Sequence, residues 1–421
     1  MAFLRRLWAR EGESEALTAC TALDIGTEFA KALVFDIEDG GRGVVRGVGR
    51  KRQGLSHMQS GTVADIAAVV DNCSVALQEA EEMAGFRPSQ VVIGIAGELV
   101  KGFTTAHSQE RLRPEIQIVE SELQKLIEGV QREALREAER SITWETGLAN
   151  VDVRLVHAAV VGAWIDGYAV SNPIGFKGRH VKISVFNAFA PLVHLGALQS
   201  VAQQLELELL EVVAEPYAVA RALNSEQIRQ GGALFIDVGG GTTDVALVRQ
   251  GGIEGTRMFA LGGRAFTKSI ADRLELPFPR AESLKVDYAR GIAGDAAADV
   301  SAIVADDVAV WAAGVELVME ELAAGDLLPG RIYLCGGGSR LPEIRVALAD
   351  ARFSRNLPFS RPPEVTIMSP DQVEAIADET KLLVDQQDVT PMGLAYQAIE
   401  LGLTAGTLDG TLRRVVRQLR I

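Results

Sequence analysis

Cysteine is scarce. Cys20, Cys73 and Cys335 stand far apart with no CxxC or Cys/His spacing, and the five histidines are as scattered. That pattern predicts reduced thiols and no zinc site. Apolar runs are broken by Arg154, Asp166 or glycine before reaching the 18 residues a membrane-crossing helix needs. The first residues are basic but lack the apolar stretch and cleavage site of a secretory leader, so a cytoplasmic location is expected. Positive charge is short too: the formal net charge is −14, which argues against a nucleic-acid partner. The glycine-rich stretch GALFIDVGGGTTDVALVRQGG (232–252) also lacks both phosphate patterns usually sought, GxGxxG and GxxxxGK followed by Ser or Thr.

What is present is room for two or three packed units: 421 residues, 48% apolar and 23% charged. The charge is uneven. MAFLRRLWAR at the start carries three arginines and no acid, and TLRRVVRQLRI at the end carries four. Without these seven the formal charge falls from −14 to −21, so two cationic islands flank an acidic body.

Residues 17–40 read as two β-strands around Gly26, and 63–85 as a helix ending at glycine. From Lys101 to Ile174 a charged helix and alternating strands form a self-contained α+β segment, which suggests an insertion between strands of a larger unit. HVKISVFNAFA then resumes the buried-strand pattern.

Setting Asp24 on Asp237 aligns LDIGTEFAKALVF with IDVGGGTTDVALV, two similar hairpins 213 residues apart. Their likeness suggests two related half-domains facing one another. Glycine-rich hairpins let backbone N–H groups approach an anion, and Thr27, Thr242 and Thr243 add hydroxyl donors. Asp24 and Asp237, at the strand ends, are placed to hold a hydrated Mg²⁺ against a polyphosphate. A third glycine turn, Gly336 to Gly338 in RIYLCGGGSRLPEIRVAL, would let a flat base pack against backbone. Any one such turn alone is equally well a tight hairpin using glycine for positive φ.

These three turns resemble the nucleotide-binding signature of the actin, hexokinase and heat-shock-chaperone superfamily. Within it the chain resembles the FtsA family of bacterial cell-division actin homologues over about residues 17–405. The stretches that carry the likeness are SGTVADIAAVVDNCSVALQEAEEMAGFRPSQVVIGIAG, RLVHAAVVGAWIDGYAVSNPIGFKGRHVKISV, and LGGRAFTKSIADRL followed by AESLK. The resemblance implies an α/β, actin-like (ribonuclease-H-like) duplicated fold, with two domains around a nucleotide cleft and an FtsA-type inserted α+β subdomain. The expected units are 17–93 with 180–230, the insert 94–179, 231–267 with 326–405, and a shortened subdomain at 268–325. Residues 1–16 and 406–421 flank them.

The resemblance also implies ATP and Mg²⁺ as cofactors. Asp24 and Asp237 would coordinate the metal through water, and Gly26, Thr27, Gly239, Gly240, Gly241, Thr242 and Thr243 would line the phosphates. Gly262 and Gly263 open the adenosine-side helices, where Glu282 and Lys285 would meet ribose and adenine. Gly336, Gly337, Gly338 and Arg340 would close over the base. Glu215 sits where superfamily members keep a carboxylate that orients the attacking water, or it is simply a helix-start acid before Pro216. Asp244 is a second candidate, or a solvated turn acid. Such catalysis needs little beyond positioning and charge neutralisation, so slow hydrolysis is compatible with these parts.

At the C-terminus Leu412, Val415, Val416 and Leu419 recur at helical spacing, with Arg413, Arg414, Arg417 and Arg420 on the other face. That describes a basic amphipathic helix fit for an anionic bilayer interface, or a short helix docked on the protein. FtsA-like proteins end in a membrane-targeting helix. Phe3, Leu7 and Trp8 with the nearby arginines form a similar N-terminal candidate, or a frayed start. The implied partners are further copies of the chain in a filament, an anionic membrane surface on the cytoplasmic side of the inner membrane, and an FtsZ-type tubulin homologue. Three departures from the family stand out: the linker LTAGTLDG before the C-terminal helix is short, the region after AESLK, where FtsZ would dock, is trimmed, and 360–391 looks like an added loop or short helix. The alternative is a PilM-like cytoplasmic scaffold of a type IV pilus or secretion machine. A soluble sugar-kinase-like enzyme fits less, because no substrate-binding acid marks a second cleft.

Overall fold

The computed structural model describes residues 17–403, apart from 39, 149, 150 and 224, together with 408 and 410–412. The first lobe opens with β1 (Ala19–Ile25), β2 (Phe29–Ile37) and β3 (Gly43–Arg52), an antiparallel meander whose tight first turn sets Asp24 opposite Lys31. A two-residue-strand hairpin, β4 (Met58–Gln59) and β5 (Thr62–Val63), leads to α1 (Ile66–Ala84) and then β6 (Gln90–Ile95), which returns parallel to β1. Helix α1 begins where the Asp65 carboxylate accepts from the Ala68 N–H at 3.1 Å, and ends at Gly85 in the left-handed conformation.

The insert follows: β7 (Lys101–Glu110), α2 (Glu120–Thr146), β8 (Val153–Ile165), β9 (Tyr168–Val170) and β10 (His180–Pro191). The chain rejoins the first lobe through α3 (Leu192–Gln204), β11 (Glu208–Ala214), α4 (Glu215–Ala222) and α5 (Glu226–Gly231). The second lobe contains β12 (Ala233–Val238), β13 (Thr243–Arg249), β14 (Gly252–Phe259), α6 (Gly263–Arg273), α7 (Phe278–Ala289), α8 (Ala297–Ala323) and β15 (Arg331–Cys335). It continues through α9 (Pro342–Ala349), α10 (Ala351–Asn356) and β16 (Glu364–Ile367), and the chain closes with β17 (Ile376–Asp378) and α11 (Val389–Leu403).

The duplication read from the two hairpins is present in the sheets. The first runs β11-β6-β1-β2-β3 and the second β16-β15-β12-β13-β14, in the same order and with the same parallel and antiparallel pairings. Helices α4 and α11 lie between the halves, in one core that includes Phe35, Tyr217, Phe235 and Met392.

Several boundaries differ from the sequence reading. Strand β10, expected in the first lobe, lies between β7 and β8 in the insert's sheet, and β7 extends the second lobe's sheet through Thr256↔Gly102. A buried strand pattern is the same in either sheet, so local sequence could not separate them. The stretch 360–391 contains two strands beside its loops and short helical turns: β16 completes the second sheet and β17 pairs with β3 of the first. Helix α11, grouped with the second lobe, packs on α4 and β1. Residues 268–325 are helical with no strand, in keeping with a shortened subdomain.

Helix α1 sits unusually close to β3 because small residues face each other. A Cβ on Gly49 would lie 1.8 Å from the Ala76 carbonyl oxygen, and one on Gly47 1.9 Å from that of Ala80. Only backbone shift could accommodate it. Gly49→Ala is therefore expected to destabilise the protein by about 1–3 kcal/mol, seen as a lowered thermal unfolding midpoint; an unchanged midpoint would show that the contact is not tight.

Candidate functional site

Apolar strands that end in an acid and turn through glycine deliver their carboxylates to the same edge of each sheet. β1 delivers Asp24 and β12 delivers Asp237, and both line one cleft between the lobes, with about 1180 Å³ of space including its open mouth. The two hairpins touch: Gly241 abuts Thr27, and Gly240 abuts Glu28. Arg264, at the start of α6, ties them further by donating to Glu28 Oε2 at 2.9 Å and to the Thr27 carbonyl at 2.6 Å.

Most of the residues expected at the site line this cleft. Gly26 and Thr27 stand on one side, Gly239, Gly240 and Thr242 on the other, with Gly263, Glu282 and Lys285 on the α6–α7 wall. Gly336, Gly337, Gly338 and Arg340 form a third wall after β15. At Gly336 φ is +82°, and a Cβ would fall 2.0 Å from Asp237 Oδ1, so glycine is required for this turn to approach the carboxylate.

Three expected residues do other work. Thr243 is fully buried away from the cleft: its hydroxyl donates to the Leu261 carbonyl at 2.7 Å and accepts from Trp311 Nε1 at 2.9 Å. Strand alternation explains the correction, since Thr242 and Thr243 point to opposite sides. Gly262 packs on the Gly239–Thr242 backbone, and Gly241 meets Thr27 without lining the cleft. The first amides of α6 are already used, Gly263 N–H bonding to Gly239 O at 2.9 Å and Arg264 N–H to Gly240 O at 2.8 Å. Lys285 donates to Gly263 O at 2.8 Å and Thr267 Oγ1 at 2.7 Å, and pairs with Glu282 at 2.9 Å. Burial pushes the Glu282 carboxyl up, but Lys285 and its hydrogen bonds hold it below the usual range.

Two groups of contacts escaped the sequence reading. Lys31 is nearly buried, with its ammonium donating to Asp24 Oδ2 at 2.9 Å and Gln387 O at 2.8 Å. Burial pushes this ammonium down, yet the attraction of Asp24, Asp388 and Asp237 outweighs it and holds the pKa above its ordinary value. Counting across the hairpin would have found it, since a tight turn at 26–28 sets residue 31 opposite 24. The second group comes from 385–390: the Thr390 hydroxyl donates to Asp237 Oδ2, Arg340 pairs with Asp385, and Arg50 pairs with buried Asp388 at 2.7 Å.

Glu215 begins α4 and also lines the cleft. Its carboxyl is pushed well above the usual range by burial, then by Asp24, Asp244 and Asp237. Asp244 is raised likewise, by burial and then Asp237, and is a buried cleft residue rather than a solvated turn acid. Its Oδ1 is buried without a partner. Burial also raises Asp237. Four carboxylates thus face one lysine, an arrangement short of positive charge that a divalent cation would relieve. Among the described residues no three His, Cys, Asp or Glu side chains converge closely enough to chelate a metal directly.

Comparison with known proteins adds kinship. The profile of the family described as "Cell division protein FtsA" matches residues 234–382. The "Cell division protein FtsA" of Pseudomonas aeruginosa is 27% identical over 353 residues, covering 79% of this chain and 80% of that protein. That of Streptococcus pneumoniae is 25% identical over 409 residues, covering 91% and 86%. Among solved structures, the "PilM-PilN type IV pilus biogenesis complex" is similar in fold, with a TM-score of 0.62 at 18% identity, covering 90% of this chain and 98% of that one. The resemblance and the actin-like fold class expected from the hairpins are both borne out.

A carboxyl raised by burial costs stability once the pH exceeds its unfolded value of about 4, and the cost grows until the folded pKa is reached. The protein is therefore expected to lose stability as pH climbs through that range. Asp244→Asn should raise the unfolding midpoint more at pH 8 than at pH 5; equal gains would show that Asp244 ionises freely in the folded chain.

Proposed function

We propose, from the chain's similarity to the FtsA family of cell-division proteins, that it binds Mg-ATP in the interlobe cleft. We infer further that it assembles with copies of itself and ties a cytoskeletal partner, such as an FtsZ-type tubulin homologue, to the cytoplasmic face of an anionic membrane. The observation that carries the nucleotide reading is the meeting of two like hairpins in one cleft, with Asp24, Lys31, Asp237 and Asp244 between them.

In this reading the amides of Thr27, Gly240 and Thr242 hold the phosphates, those of Gly26 and Gly239 being bonded to the Phe29 and Thr242 carbonyls within the hairpins, and Lys31 turns part of its charge to the phosphates. Asp24 and Asp237 would hold the metal through water, and it would supply positive charge beyond what Lys31 gives Asp24. Glu215 and Asp244 would accept a proton from an attacking water and orient it. The third turn and Arg340 close over the base, with Glu282 and Lys285 shaping the ribose side.

The tether rests on the four arginines of 413–420, each contributing about 1 kcal/mol near an anionic leaflet; polymerisation would multiply a weak single anchor. No helix among the described residues is long and apolar enough to cross a membrane. The anchor residues Arg413, Arg414, Val415, Val416, Arg417, Leu419, Arg420, Phe3, Leu7 and Trp8 lie outside the described residues. Leu412 does not, and it departs from its expected role: here it is buried against the insert. The strand-free 268–325 region favours a second reading, a PilM-like scaffold. Capture by an FtsZ C-terminal peptide rather than a pilus inner-membrane peptide would decide for the first.

Titration with a fluorescent ATP analogue and Mg²⁺ should saturate, and Lys31→Ala should weaken affinity by about tenfold or more, the loss of a charge-assisted hydrogen bond. No saturable signal would remove the nucleotide reading. Deleting 412–421 should release the protein from phosphatidylglycerol vesicles, and unchanged co-sedimentation would remove the tether.

A further inference from the structure

The insert's sheet is four strands wide, in the order β7-β10-β8-β9, and one face of it is covered by α2. A helix about 10 Å across covers roughly two strands spaced about 4.8 Å apart. Contacts follow that limit, α2 packing mainly on β7 and β10. Part of the remaining apolar surface is covered by the chain's own leucines. Leu408 is 5% exposed and Leu412 fully buried, and both belong to the core cluster built from Leu123 and Ile127 of α2, Ile165 of β8 and Val181 of β10. These leucines are helical where described and one turn apart, so they present one face.

Leu412 is also the first apolar residue of the repeat Leu412, Val415, Val416, Leu419. A side chain that a bilayer would take is thus already enclosed by protein. We propose that the inserted unit is a dock for this chain's own C-terminal amphipathic segment, and that the docked and membrane-bound states exclude one another. A partner that occupied the β8–β9 side of the insert would then free the tail, coupling membrane attachment to assembly. The dock stands on its own; only the competition rests on the membrane reading above.

Two variants of the full-length chain test this from opposite sides. Leu408→Asp alters the tail ahead of its basic repeat, and Val170→Asp alters the β9 side of the dock while leaving the tail intact. Without lipid, trypsin cleavage after Arg413 and Arg414 should quicken roughly tenfold or more in each variant, the effect of losing one buried leucine-sized contact. With phosphatidylglycerol and phosphatidylcholine vesicles, each variant should co-sediment more fully than the unaltered chain. Equal cleavage in all three proteins would overturn the dock. Faster cleavage without vesicle binding by any of them would uphold the dock and remove the tether reading. Reduced vesicle binding by both variants would overturn the competition.

Discussion

The site is organised by a shortage of positive charge. Asp24, Asp244 and Glu215 are buried and Asp237 is half-buried about a cleft that holds Lys31, and burial of carboxylates is tolerated only when the ionised form is compensated or suppressed. Asp24 has its compensation in Lys31, whereas Asp237, Asp244 and Glu215 are held toward the protonated form. A hydrated divalent cation would supply the positive charge that these carboxylates lack. The same shortage makes the empty cleft costly, which is the physical basis for expecting ligand-dependent stability.

The architecture serves that arrangement. Each half repeats one strand order, so the carboxyl end of its first strand reaches the interlobe edge, and the helices α4 and α11 fix the halves against each other. Arg264 and Glu28 join the two hairpins directly, while the segment after β17 returns to place Thr390 on Asp237 and Gln387 on Lys31. Closure of the cleft is therefore distributed over three chain segments.

Legibility followed range. The hairpins at 24 and 237 were readable because acid, glycine and flanking apolar strand are contiguous, and α1 because its cap residues bracket it. Lys31 is legible from hairpin register, which sets it opposite Asp24. Thr390, Gln387 and Asp388 were illegible: their role depends on 360–391 crossing between lobes, a path set by tertiary packing. The placement of β10 failed for a similar reason, since a buried strand does not state which neighbour it joins. Thr243 shows the finer limit, where alternation turns one of two adjacent threonines away from the cleft. Leu412 shows another, because one apolar face suits a bilayer and a sheet equally well.

Calorimetric titration of Mg-ATP at pH 7 in buffers of different ionisation enthalpy reads the central claim most directly. If the cation compensates Asp237, Asp244 and Glu215, binding releases protons and the observed heat varies with the buffer in proportion to that release. Saturable binding whose heat is independent of buffer, or the absence of binding, would contradict it.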